Sequence, residues 1–312
     1  MRLIFMGTPE AAVPTLQRCL DDGHEVVAVW TQPDRPAGRG EKLKEPPIKE
    51  FALNHGLTVE QPVKIRTEQM LDLFASYEAD AAVVVAYGRI LPAGFLVAPR
   101  KGCINVHFSL LPQYRGAAPV NWAIVRGERE TGVTTMQMDE GLDTGAILLQ
   151  RETRIEETET APELMARLST LGAEALSETL ARLNDLEPRE QSEEKATFAP
   201  VLRREDGLVD WALDAAQIER RVRGFQPWPN AFTTYHSQRL VIWRATVLTN
   251  EQELQGGDAV GLVLKAHGDE LVVSCGDDTL LCLQEVQPEG KRRMSVRDFL
   301  NGARVRAGER LG

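Results

Sequence analysis

The chain has 312 residues with 43% hydrophobic, 26% charged and 6% aromatic content, which excludes a disordered tail, a collagen-like repeat and a coiled-coil rod and leaves room for two domains. Its formal net charge of −10 argues against a chain-wide attraction to nucleic acid or anionic lipid. No stretch approaches the ~20 apolar residues of a membrane span, and the apolar start after Arg2 is too short for a signal-peptide core.

The first half alternates strand and helix signals, the pattern of an α/β layer fold. Arg2–Met6 is a short apolar run ending at Gly7, and Ala12, Leu16, Cys19 and Leu20 follow at helical spacing. Glu25–Trp30 reads as a second strand. Asp80–Ala86 is apolar on both faces, as a central parallel strand covered by helices should be. Lys101–His107 reads as another strand, and Thr131–Met138 and Ala146–Arg151 as two more around the loop Asp139 to Gly145. Thr160 with Glu163 three residues on predicts a capping box opening a long amphipathic helix through Leu183. The charged stretch Glu187–Lys195 is the best candidate for a linker, although a surface loop would have the same composition.

Beyond Gly207 the texture changes. A helix is expected at Ala215–Val222, followed by short β-rich runs at Ala231–Tyr235, Leu240–Val247, Ala259–Ala266, Leu271–Cys275 and Leu280–Val286. Such spacing predicts a small β-barrel. Cys19, Cys103, Cys275 and Cys282 form no CxxC pair and do not cluster with the histidines, so they read as reduced thiols rather than as a metal site.

Asn105 and His107 lie two apart on a predicted strand, so the pleat puts both side chains on one face. They stand at the carboxyl end, beyond which open α/β sheets bind ligands. An amide donor beside an imidazole suits oxyanion stabilisation with general acid/base work. Taken alone, the pair is also what a turn-capping asparagine and a structural histidine would look like.

The neighbouring segments sharpen the reading. The ordered set N-V-H (105–107), S-L-L-P (109–112), R-G-A-A-P (115–119) and D-E-G-L-D-T-G (139–145) resembles the folate-dependent formyltransferase superfamily. The resemblance implies a catalytic trio of Asn105, His107 and Asp143. It also implies a 10-formyltetrahydrofolate site lined by Ser109, Leu110, Leu111 and Pro112, by Gly141 and Leu142, and by a wall formed from Gly88, Arg89, Ile90 and Leu91. Phe108 stands where many relatives have a small residue, and Val201 where a basic one is expected.

Two features narrow the resemblance. The loop from Thr31 to Pro47 opens T-Q-P-D-R-P-A-G-R-G and is similar to the inserted loop of methionyl-tRNA formyltransferases. This implies that Arg35, Arg39, Lys42 and Lys44 contact tRNA. The motifs around Trp211, Phe225–Pro229, Trp243 and Pro288–Lys291 look like the tRNA-binding β-barrel of the same enzymes. The implied architecture is a Rossmann-like catalytic domain at 1–189 with a mostly parallel sheet, a linker at 190–205, and a small C-terminal β-barrel (OB-like) domain at 206–312. The implied reaction is formyl transfer to methionyl-initiator tRNA, in a cytoplasmic monomer with no metal. Formyltransferases for glycinamide ribonucleotide or amino-sugar nucleotides share the trio but not the basic loop. A folate hydrolase would need no tRNA contacts, and a pure RNA-binding module would need no trio.

The charge average hides local order. Residues 206–312 carry 13 Lys and Arg against 15 Asp and Glu, so most of the excess acid lies in the first part. Phosphate binding needs only a local basic stripe.

Overall fold

The computed structural model describes residues 1–37, 42–248 and 259–312. It divides into two compact units: Met1–Pro119 with Glu130–Arg154 and Met165–Ala199, and Val120–Arg129 with Ile155–Leu164 and Pro200–Gly312.

The strands of the first unit are β1 (Arg2–Gly7), β2 (Glu25–Trp30), β3 (Arg35–Ala37), β4 (Lys42–Lys44), β5 (Val59–Glu60), β6 (Ala81–Val85), β7 (Cys103–His107), β8 (Arg115–Gly116), β9 (Glu130–Gln137), β10 (Ile147–Arg154) and β11 (Phe198–Ala199). Helices α1 (Val13–Asp21), α2 (Pro47–Asn54), α3 (Glu68–Ser76) and α4 (Ala93–Val97) connect the early strands. Two more, α5 (Pro119–Arg126) and α6 (Ala161–Ala181), pass through the boundaries between the units. The main sheet runs β10-β9-β7-β6-β1-β2-β5. Its members β7, β6, β1, β2 and β5 are parallel, while β9 is antiparallel to both β7 and β10. The expected mostly parallel sheet is therefore present.

Every residue of β6 is buried, as its unbroken run of Ala and Val requires of a strand covered on both faces. Beside it Trp30 meets Phe74 and Phe95 edge-on, with ring centroids 5.2 and 6.0 Å apart. The start of α6 departs in detail from a capping box. The Glu163 carboxylate accepts from the Thr160 backbone N–H at 2.8 Å, but the Thr160 hydroxyl donates to the same carboxylate.

Two loops carry more structure than their composition suggests. The basic stretch after β2 contains the hairpin β3–β4, in which Arg35 lies opposite Lys44. The stretch read as a linker is bound to the first unit up to Ala199. Arg189 bridges to Ile147, β11 pairs with β8, and the Arg115 guanidinium donates to both Glu193 oxygens. Its polar composition reads as solvated because its bonds run through backbone and polar side chains rather than through apolar contacts.

The second unit contains α7 (Ala215–Gly224), opened by a capping box of Asp214 and Gln217, then β12 (Ala231–Tyr235), β13 (Gln238–Leu248), β14 (Val263–His267), β15 (Glu270–Ser274), β16 (Leu280–Pro288), β17 (Met294–Ser295) and α8 (Val296–Ala303). Its strands pair in the order β12-β13-β16-β15-β14, with β17 on β16, all antiparallel. Trp211, Ile218, Val222, Ile242, Leu271 and Phe299 fill its core. The last residues bond to both edge strands: Gly308 N–H reaches Val263 on β14 and Gly312 N–H reaches Thr234 on β12. The tail thus occupies edges that an open sheet would leave unpaired.

Candidate active site

β7 ends at the carboxyl edge of the parallel sheet, with Asn105 beside Val84 and Met136 and His107 beside Thr134. Asn105 is half-buried, and its carboxamide has no hydrogen-bond partner among the described residues. His107 is buried. Its Nε2 lies 3.0 Å from the Tyr114 carbonyl, which can only accept, so Nε2 carries a hydrogen in this contact. That leaves Nδ1 facing the Asp143 carboxylate, with 3.8 Å between Nδ1 and Oδ2.

The chain between His107 and Tyr114 is folded back by polar contacts. Ser109 Oγ donates to the Gln113 carbonyl, and Thr134 Oγ1 donates to the Ser109 carbonyl while accepting from Leu111 N–H. Gln150 donates to the Leu111 carbonyl. These bonds bring Tyr114 under the imidazole. Ser109 and Leu111 are buried in the process, while Leu110 and Pro112 remain half-buried. Phe108 turns the other way and packs with Val106 where α6 has Gly172, so it forms part of the core rather than a pocket edge.

Asp143 comes from the loop between β9 and β10. Asp139 organises that loop, its carboxylate accepting from Gly141 N–H and from Thr144 Oγ1. Asp143 itself adopts a left-handed backbone, φ 54°, and its Oδ2 accepts from Gly116 N–H at 2.8 Å. Gly116 has φ +121°, and a Cβ there would stand 2.6 Å from the Ala199 carbonyl. A glycine is what lets this amide approach the carboxylate. Gly141 and Leu142 are exposed at the loop tip.

The expected folate wall is spread over two other clefts. Gly88 lines one of about 490 Å³ together with Thr8, Gln32, Arg35 and Lys44. Arg89 and Ile90 line another with Lys64 and Arg66, the Arg89 guanidinium donating to the Pro62 and Val63 carbonyls. Leu91 is buried in the core. A third cleft, of about 500 Å³, runs against the Asp143 loop and is lined by Leu96, Val97, Gly102, Gln137, Met138 and Asp139 among others. Apolar walls with a few amide and carboxylate groups suit a flat heterocycle.

Of the expected tRNA contacts, Arg35 and Lys44 are exposed neighbours across the hairpin, and the Arg35 guanidinium also donates to Gln32. Lys42 stands on β4, and Arg39 lies outside the described residues. Sequence reading missed the Tyr114 carbonyl, Arg115 and Gln191. Arg115 had a signal, its place in the R-G-A-A-P motif. Gln191 had none.

An imidazole facing a carboxylate, with a carboxamide two residues away on the same strand, stands at the carboxyl edge of a mostly parallel sheet, an arrangement suited to acid–base chemistry. The chain belongs to the formyl transferase family: residues 1–180 match the formyl transferase domain and residues 201–304 its C-terminal domain. It is 48% identical over 99% of both chains to the methionyl-tRNA formyltransferase of Caldanaerobacter subterraneus. To that of Geobacter metallireducens it is 47% identical over 100% of this chain and 99% of the relative. Its fold is similar to the N-formyltransferase of Helicobacter canadensis, solved with folinic acid and dTDP-3-aminofucose. There the TM-score is 0.66 at 19% identity, covering 90% of this chain and 98% of that one.

Proposed function

We infer that this formyltransferase moves the formyl group of 10-formyltetrahydrofolate to the α-amino group of methionyl-initiator tRNA, and that Asn105, His107 and Asp143 carry the chemistry. One observation carries the assignment of the trio: His107 at the end of β7 and Asp143 from the loop between β9 and β10 face each other at 3.8 Å, with an Asn105 amide on the same strand as His107 that is free to donate. The choice of acceptor rests on whole-length relatives at 47–48% identity that bear that name.

Attack of a neutral amine on the formyl carbon builds negative charge on the formyl oxygen. The Asn105 carboxamide donates to that oxygen. The attacking nitrogen must lose a proton and the departing N10 must gain one. Since Nε2 of His107 is held by Tyr114, exchange at the imidazole falls to Nδ1, next to Asp143. The pair holds the proton between the two nitrogens, directly or through water. The folate ring is assigned to the cleft lined by Leu96, Val97, Met138, Asp139 and Glu140, whose last two residues lead in sequence into Gly141, Leu142 and Asp143. Ser109–Pro112, which follow His107 closely in sequence, contribute to the donor site, and the cations Arg35, Arg39, Lys42 and Lys44 of the basic stretch contact the acceptor stem.

No described helix is long and apolar enough to cross a membrane. A cytoplasmic location agrees with four free thiols. A monomer agrees with one chain supplying the whole trio, and sedimentation of the purified protein tests it. Substituting Asn105→Ala, His107→Ala and Asp143→Ala tests the site. Each is expected to lower kcat by about 10²–10³, with the melting transition and tetrahydrofolate binding retained. Near-normal turnover in any of the three removes that residue from the mechanism.

A further inference from the structure

The stretch 187–199 crosses both loops that build the site, and one side chain in it has all its polar atoms committed there. Gln191 Nε2 donates both its hydrogens, to the Asp143 carbonyl at 2.8 Å and to the Gly145 carbonyl at 2.7 Å. Its Oε1 accepts from Arg115 Nε at 3.0 Å. The remaining guanidinium nitrogens of Arg115 donate to the two Glu193 oxygens at 3.0 and 2.9 Å. Arg115 is 2% exposed although Glu193 is 73% exposed, so the guanidinium is fixed by burial and directs Gln191 from behind.

This arrangement sets the amide orientation. A flipped Gln191 would aim its oxygen at two carbonyl oxygens and its NH₂ at a guanidinium, losing every bond. The carbonyl of the left-handed Asp143, φ 54°, and that of Gly145 two residues on are thereby pinned. On the far side, Gly116 N–H holds the carboxylate at 2.8 Å. Gly116 follows Arg115 directly, and its strand pairs with Phe198–Ala199 of the same stretch. The Asp143 backbone and its carboxylate are thus both referenced to one strap.

We propose that Gln191 is a positioning residue for formyl transfer: held by Arg115, it fixes the Asp143 loop so that the carboxylate faces His107 Nδ1. Gln191 touches no reacting atom and acts through Asp143. The inference rests on the reading of Asp143 as a catalytic group, and its test separates the two.

The test is a double-mutant cycle on the full chain with Gln191→Ala, Asp143→Ala and the double variant, measuring kcat, both KM values and the pH profile of kcat. A misplacement of about an ångström costs on the order of 10²-fold in rate. Gln191→Ala is therefore expected to lower kcat by about that factor, leave both KM values within about twofold, and shift the pH profile. With Asp143 already removed, Gln191→Ala is expected to cost little more, because residues acting as a unit are not additive. Full additivity, or an unchanged kcat and pH profile in Gln191→Ala while Asp143→Ala is crippled, overturns the positioning role alone. An active Asp143→Ala overturns the functional reading with it. Gln191→Glu, of the same size, serves if Gln191→Ala does not fold; it sets a carboxylate against two carbonyls and is expected to show the same loss and the same non-additivity.

Discussion

His107 sits between a carbonyl that fixes one ring nitrogen and a carboxylate that faces the other. An imidazole held this way cannot turn to follow a substrate, so the substrate has to be brought to it. Phe108, the next residue, has a different task, since its ring fills space against α6 at Gly172. Phe108→Ala is expected to cost about 3–5 kcal/mol of stability, read by denaturant unfolding, with KM for the folate donor unchanged. A raised donor KM without destabilisation would place the ring in the pocket after all. At this scale the sequence was informative where chemistry follows a strand period. Asn105 and His107 were legible because a pleat sets their faces. The contacts of Tyr114 and Gln191 were not, because a backbone carbonyl has no residue signature and Gln191 lies in a polar stretch with no periodicity.

Elements deliver these residues to each other. The strap 187–199 is tied to the first unit by polar bonds, and polar bonds respond to pH. The Arg115 guanidinium, hydrogen-bonded to Glu193, holds that carboxyl below the usual carboxylate range. A carboxyl with a depressed folded-state pKa stabilises above its unfolded value and loses that contribution as pH falls through the folded one. The stability difference between wild type and Glu193→Gln is therefore expected to be present at pH 6. It is expected to fade below about pH 4, under the unperturbed glutamate value. A difference that stays constant from pH 7 to pH 3 contradicts the pairing. The sheet itself was legible from Asp80–Ala86 and the alternating pattern of strands and helices, as was α6 from its Leu spacing. The strap reads as a linker or surface loop in the sequence because charge and proline suggest solvent exposure. The hairpin β3–β4 was missed for a related reason, since strands of three residues are too short for a pattern.

Across the whole molecule, a net charge of −10 and a nucleic-acid substrate are compatible because phosphate binding depends on local cations. Arg35 and Lys44 stand side by side on the hairpin. Lys44→Ala is expected to raise KM for methionyl-tRNA more than KM for the folate donor. It should also reduce the slope of log affinity against log salt by about 0.7–0.9, the share of one phosphate contact. Equal effects on both substrates would make the hairpin scaffold only. The β-rich character of the second unit is legible in its short strand runs, while the bonding of Gly308 and Gly312 to its edge strands is not, because the tail has no strand pattern.

The most direct test of the whole account is tetrahydrofolate release from 10-formyltetrahydrofolate by the purified chain, followed with no acceptor, with methionyl-initiator tRNA and with methionyl-elongator tRNA. Release is expected only with the initiator form, matched mole for mole by N-formylmethionyl-tRNA. Release at the same rate without any acceptor, or no formylated tRNA, would contradict it.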